Sequence, residues 1–438
     1  MDSGRSIAIP SLRFSPESLR VLAVLVAFSV LSLEFLIWIP TPGTLIAIVG
    51  CICAYLAAYR KIDYLDPLVA FSMPWMAILV FSVTPMSEYA IAINRATYEL
   101  IILALLSALI VSGKRLSQIN KIVAWQRARP SIVKPSLGIL LLDIVFFSLT
   151  ALNVAIAGYV PIIRGITTGD TGYLDFGVHG LFGFYLAFAN AWGIFHLVLY
   201  FRTKRGSYLA RYCFLFVVFI SFVSRQNLIS LAVEGVVVFS LLRRRLSLKK
   251  IAIWLALAGI LFSIIGSFRS GNIKTLAKIR PEYMWVPEPM IWLYSYSYFN
   301  IANVNNLILF SKAPFYDGSS FSQLIPSFLR PTHETESYLE VEIFNVSSYL
   351  YPVYEDMGIP GVVILTSVVI WFTNRQRTAL YREASLFRIG TFATLYFCAA
   401  FSFFVNFWFY LPIIFQLAFF KLMSNLAERT VQEHSFHD

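Results

Sequence analysis

Apolar residues in this chain come in long blocks, and the polar residues between them come in short, basic clusters. The blocks run 16 to 22 residues: 20–39, 43–59, 67–84, 96–112, 137–157, 180–201, 209–224, 226–242, 251–267, 357–373, 389–405 and 408–424. A helix needs about 20 apolar residues to cross a bilayer. The pattern therefore predicts an all-α polytopic membrane protein with about 12 transmembrane helices. The polar stretch MDSGRSIAIPSLRFSPESLR precedes a run as long as a full span, which reads as a retained anchor and not as a cleaved signal peptide.

The basic clusters set the orientation. Seven segments, comprising the two termini, 60–66, 113–136, 202–211, 243–250 and 374–388, hold or border 26 of the 35 Lys and Arg residues. Excess Lys and Arg mark cytoplasmic loops, so both termini are expected inside. The nine remaining are Arg95, Arg164, Arg225, Arg269, Lys274, Lys278, Arg280, Lys312 and Arg330, which fall at the other face. There we expect a smaller periplasmic loop, 158–179, and a large one, 268–356, between spans 9 and 10. The whole chain, 1–438, reads as one integral-membrane domain. A stretch of 31 residues, Tyr212 to Leu242, carries only Arg225 and Glu234 as charges and is flanked on both sides by basic clusters. It must cross twice or re-enter, yet it is short for two spans. Its tip SRQN is expected to lie in a recess below the outer surface.

Composition agrees: 58% of residues are hydrophobic and 13% charged, where a soluble domain carries about a quarter charged. The net charge of +11 is accounted for by the cytoplasmic loops, so no nucleic-acid partner is expected. The four cysteines all sit in apolar runs and read as small buried hydrophobes. No Walker A motif and no G-x-S-x-G elbow occurs, which excludes an ATP-driven pump and a hydrolytic triad of that class. No cofactor is expected.

The outer segments hold the candidate chemistry. A lone charge at bilayer depth usually marks an ion or substrate site, and Arg225 is such a charge. Arg269, ending SFRSG, is a candidate phosphate ligand, because the planar guanidinium matches phosphate oxygens. Lys274 and Lys278 are four apart and suit an amphipathic helix on lipid headgroups or a diphosphate clamp. Tyr294, Tyr296 and Tyr298, followed by Asn303 and other asparagines, suit either an interfacial belt or sugar stacking and hydrogen bonding. In RPTHETESYLEVE, Arg330, His333, Glu334, Glu336, Glu340 and Glu342 suit a divalent cation, a general base or a solvated loop. With no D-x-D and no H-E-x-x-H, no metal site is expected. Asp356, in YEDMGIPG, is a helix cap or a further carboxylate of the site.

Several of these stretches, in this order, resemble the integral-membrane O-antigen polymerases (oligosaccharide repeat-unit polymerases) of bacterial envelopes. They are AGYVPIIRG, the hairpin with SRQNLI, GSFRSG, GSSFSQLIPSFLRP and YEDMGIPG. The resemblance covers most of residues 137–375 by architecture and about thirty by motif. It implies a multi-pass protein of the bacterial inner membrane. It also implies transfer of a glycan from undecaprenyl diphosphate to the terminal sugar of a new lipid-linked repeat unit, on the periplasmic face. The implied partners are undecaprenyl-diphosphate-linked oligosaccharides, membrane lipids and a separate chain-length regulator. On this reading Arg225, Arg269, Arg330 and Arg164 bind the diphosphate. Glu336, Glu340, His333 and Asp356 are candidates for acceptor activation, and Tyr294, Tyr296, Tyr298 and Asn303 contact sugar. An O-antigen ligase, or a flippase or transporter of lipid-linked sugars, remains as an alternative.

Overall fold

The computed structural model describes residues 64–112, 137–178, 180–242, 248–326, 329–330, 338–344 and 346–435. The expected spans 20–39 and 43–59 and the N-terminus lie outside these. The helices are α1 (Pro67–Ser82), α2 (Arg95–Ser112), α3 (Leu137–Ala157), α4 (Pro161–Thr168), α5 (Phe182–Thr203), α6 (Gly206–Ser221), α7 (Arg225–Leu242), α8 (Leu248–Ser270), α9 (Glu288–Phe310), α10 (Leu350–Arg382), α11 (Leu386–Ala400) and α12 (Leu411–Ser435). Among the described residues there is no strand beyond an isolated antiparallel bridge between Ser87 and Ile279. Each of the ten apolar blocks that fall in the described residues has become a helix. Local chemistry sets several starts: Asp66 accepts from the Leu68 N–H at 2.9 Å with Pro67 behind it, and Ser385 accepts from Arg388 at α11.

Five stretches are long and apolar enough to cross a membrane: α2, Leu137–Thr168, α5, α7 and α10. Shorter apolar helices occupy much of the remainder. Burial divides them. Sixteen of the 22 residues of α5 are buried, so it is a central helix enclosed by α6, α7, α11 and α12. Gly193 permits that closeness, since a Cβ there would meet Leu215 at 2.5 Å. In α3, by contrast, only Ile139, Leu142, Asp143, Phe146 and Asn153 are buried. Leu140, Leu141, Ile144, Val145, Phe147, Leu152 and Ile156 all point outward. Such an apolar outer face is stable against lipid tails and not against water. The protein is a helical membrane protein.

The two ends of the bundle differ. At one end the basic segments meet: Arg377 pairs with Asp66 at 2.9 Å, the Arg202 guanidinium donates to the Ala384 carbonyl at 2.7 Å, and Lys421 lies over the Phe387 ring. At the opposite end the intervening segments are stitched together. The Arg280 N–H donates to Met86, Tyr349 to the Ser402 carbonyl, and the Asn406 amide to Ser320.

Segment 268–356, expected as a loop, holds the 23-residue helix α9, with 15 of those residues buried. Its sequence lacks an apolar run, because Tyr, Ser and Asn alternate with the apolar positions. At its start Glu288 accepts from Ser267 at the end of α8; near its finish Asn305 accepts from Asn94 and Thr97 at the start of α2. Both ends of α9 thus touch the same end of the bundle. The helix lies across that end of the bundle.

Polar groups inside the bundle are bonded across helices. Glu234 of α7 accepts from Ser230 at 2.7 Å, from Thr394 of α11 at 3.0 Å, and from Gln416 of α12 at 3.0 and 2.8 Å on its two oxygens. Asp143 of α3 accepts from Trp192 and Arg211 and sits 3.2 Å from His196.

Candidate anion-binding site

The 212–242 stretch is a hairpin. Helix α6 stops at Ser221 and α7 starts at Arg225, leaving a three-residue turn. Val223 takes a φ of 55° there, a left-handed conformation that a β-branched residue rarely adopts. The Ser224 N–H closes back on Phe219 at 2.9 Å, and the Ser224 carbonyl accepts from Leu228. This tight reversal sets Arg225 as the first residue of α7, below the level of the loops.

Arg225 is only 9% exposed. Its guanidinium lies over the rings of Phe262 and Trp292, each 5.0 Å away. Gly266 of α8 makes room: a Cβ there would meet Trp292 Cε2 at 2.8 Å and Arg225 Nη1 at 2.9 Å. Arg225 Nη1 and the indole Nε1 of Trp292 are both buried without a hydrogen-bond acceptor. A cation–π contact offsets part of the cost of burying the charge, by up to about 2 kcal/mol. It does not satisfy an N–H. Two orphan donors on neighbouring side chains form a socket whose complement is an anionic oxygen.

Further groups converge on it. The Tyr296 hydroxyl, Arg269 and Tyr173 all lie within electrostatic reach of Arg225. Arg269 packs its guanidinium on the Tyr173 ring at 4.1 Å. Tyr296 stacks on Trp292 at 5.7 Å and meets Phe404 at 4.9 Å. Tyr173 and Arg330 in turn lie close enough to Tyr410 to act on its hydroxyl. Arg330 is exposed and donates to the Ile325 carbonyl at 3.2 Å. Among the described residues no carboxylate stands at ion-pair distance from Arg225, Arg269 or Arg330. Like charges gathered without an acid repel one another, and a bound anion relieves that repulsion.

The other sequence candidates are placed elsewhere. Arg164 pairs with Asp170 at 2.9 Å and lies over Tyr159 at 4.6 Å, so it braces its own loop. Tyr294 and Tyr298 stack on each other at 5.3 Å in the core. Their hydroxyls bond to the 84–94 segment: Tyr294 accepts from Ser87, and Tyr298 donates to Ile91. Burial pushes the Tyr294 phenol up to about 12. Only Tyr296, two residues away and so on another face of α9, looks toward the arginines.

Asn303 is wholly buried, donating to Phe344 and Val346 carbonyls and accepting from the Glu340 N–H at 2.8 Å. Glu340 also accepts from Asn306 at 2.8 Å. Asp356 accepts from the Gly318 N–H at 3.0 Å and latches the 313–320 loop to α10. His333, Glu334 and Glu336 lie outside the described residues. Lys274 and Lys278 share no helical face, since the helix there is the single turn Ile273–Leu276. Lys274 bonds the Met284 carbonyl and Lys278 lies over Tyr89.

Trp292, Phe262, Gly266, Tyr173 and Tyr410 were not foreseen as site residues. The i, i+4 spacing of Trp292 and Tyr296 would have exposed two faces had 288–310 been read with helical periodicity. Tyr173 and Tyr410 carry no local signal, since they are joined only by the fold. No protein-family model, curated protein or solved structure matches this chain.

Proposed function

We propose that the protein is a membrane glycosyltransferase that lengthens a polysaccharide, using a lipid diphosphate as the activating group on the donor. The observation that carries this reading is the Arg225 socket, with its orphan Nη1 and Trp292 Nε1 and Arg269 close by. The resemblance noted in the sequence supplies the rest: the donor is a glycan on undecaprenyl diphosphate, and the acceptor is the terminal sugar of a new lipid-linked repeat unit.

The chemistry fits these groups. An acceptor hydroxyl oxygen attacks the anomeric carbon of the donor's first sugar. The bond from that carbon to the diphosphate oxygen breaks, and undecaprenyl diphosphate leaves with the electron pair. Its oxygens gain negative charge in the transition state. Guanidinium and indole N–H groups fixed in a site shielded from water stabilise that charge more than solvated ones do. Tyr173 and Tyr296 supply rings and hydroxyls for a sugar next to the diphosphate. The hydroxyl proton passes to a carboxylate or imidazole within residues 330–340, for which His333, Glu336 and Glu340 are the candidates.

Surface polysaccharide from a strain lacking the gene, run on a gel with and without the gene restored, tests the reading. Loss of the ladder with core bearing one repeat unit retained supports a polymerase. Loss of every repeat unit from the core would instead make the protein a ligase or a flippase. An unchanged ladder would remove it from this pathway.

A further inference from the structure

A second site lies at the opposite end of α10, and it does not depend on the glycosyltransferase reading. On one face of α10, Ile364, Val368, Trp371 and Phe372 are exposed, at 59%, 48%, 47% and 37%. Their spacing of i, i+4, i+7 and i+8 draws a continuous apolar stripe. The same face continues into Arg375 and Arg382. There a cavity of about 810 Å³ opens, lined by Trp371, Phe372, Arg375, Arg382, Glu383 and Arg388 among others. Arg375 lies over the Trp371 ring at 5.4 Å. Arg382 is exposed and, among the described residues, has neither an ion pair nor a hydrogen bond of its side chain. Arg388 shares its charge with the outward-facing Glu383 at 3.1 Å. Three cations therefore face one carboxylate beside a lipid-facing stripe, at the end of the bundle where the basic segments gather.

We infer that this groove holds an anionic phospholipid of the surrounding leaflet. Its phosphate sits on Arg375 and Arg382, and an acyl chain lies along Phe372, Trp371, Val368 and Ile364. Both halves of the site are needed for this choice of occupant. A soluble phosphate would use the arginines and leave the stripe uncovered, and a zwitterionic lipid would cover the stripe without matching the net positive charge. Cationic pockets at the cytoplasmic ends of membrane helices bind anionic headgroups in this way, each Lys or Arg contributing about 1 kcal/mol. Two arginines then correspond to a preference of about thirtyfold for an anionic over a zwitterionic lipid, at about 1.4 kcal/mol per decade.

The test uses the full-length protein in detergent, titrated with phosphatidylglycerol or phosphatidylcholine and read by native mass spectrometry of retained lipid. The wild type is expected to keep phosphatidylglycerol preferentially. Arg375→Ala/Arg382→Ala should lose that preference about thirtyfold, while Lys312→Ala, at the other end of the bundle, should keep it. Because both arginines are exposed, the double variant should elute from gel filtration like the wild type. If it does not, Arg382→Glu alone serves, and it should also lose the preference. Equal retention of the two lipids by the wild type, or an unchanged preference in the variants, overturns the inference. So does displacement of the lipid by inorganic phosphate at concentrations comparable to those of the lipid itself, which would mark a site for a soluble anion.

Discussion

At the scale of the residue, Arg225 is the point where most of the reasoning converges. A charge in an apolar stretch was legible from sequence, and its burial at the tip of a tight hairpin agrees with a stretch too short for two full spans. Its partners were not legible. Trp292 sits in a segment read as a loop, and Gly266 matters only because two side chains approach it from another helix. Arg225→Ala is expected to lower glycan transfer about a hundredfold or more, as loss of one charge-stabilising donor typically does, with the protein still folding. Arg225→Lys should rescue little, since an ammonium lacks the planar fork and stacks less well between Phe262 and Trp292. Single-turnover transfer assays on purified, monodisperse variants would check both, and full activity in either would remove Arg225 from the mechanism. Gly266→Ala should cost about tenfold or more. Its Cβ would meet both Nη1 and the indole at under 3.0 Å, and neither can withdraw from that packing without opening the socket.

Among the elements, apolar blocks were easy to read because lipid demands continuous apolar sequence. Every predicted span within the described residues has its helix, most with ends displaced by a few residues, while α10 begins seven residues earlier and ends nine later than its apolar block and α12 ends eleven later. Helix α9 was missed for the same physical reason: it is buried in protein and not in lipid, so asparagine and serine are tolerated wherever a partner exists. The amides read as sugar ligands turn out to hold the architecture. Asn303 is the clearest case, and Asn303→Ala would strip acceptor and donor partners from Phe344, Val346 and Glu340 together. Unsatisfied buried groups cost about 1–3 kcal/mol each, so a loss of about 2–3 kcal/mol is expected, read as a lower melting temperature in detergent. If Asn303 instead contacted sugar, the substitution would leave the melting temperature unchanged and raise KM.

For the whole molecule, the basic segments were expected to gather at one end, and among the described residues the packing brings 60–66, 202–211, 374–388 and Lys421 together. What no local pattern conveys is which distant residues share an enclosure. Arg225, Arg269, Tyr173, Tyr296, Tyr410 and Arg330 come from six separate stretches of the chain. Four of those arginine and tyrosine positions had been singled out, yet their grouping depends on α9 lying across the bundle and on the hairpin reversing at Val223. Arg164, chosen on the same grounds as Arg269, pairs with Asp170 of its own loop.

The carboxylate of Glu234 has a bearing on biogenesis. Helix α7 leaves the ribosome carrying two charges, and two of the three side chains that bond Glu234 are synthesised 160 and 182 residues later. Until α11 and α12 arrive, α7 must remain hydrated, at the translocon or beside water-filled protein, because an unbonded carboxylate is costly in hydrocarbon. Final insertion of the hairpin is therefore tied to completion of the C-terminal helices. A chain ending before Gln416 should be cleared rapidly by membrane proteases, and Glu234→Leu should restore part of its lifetime in a pulse-chase experiment. An equally short lifetime for the Leu variant would show that the hairpin enters the bilayer without waiting for its partners.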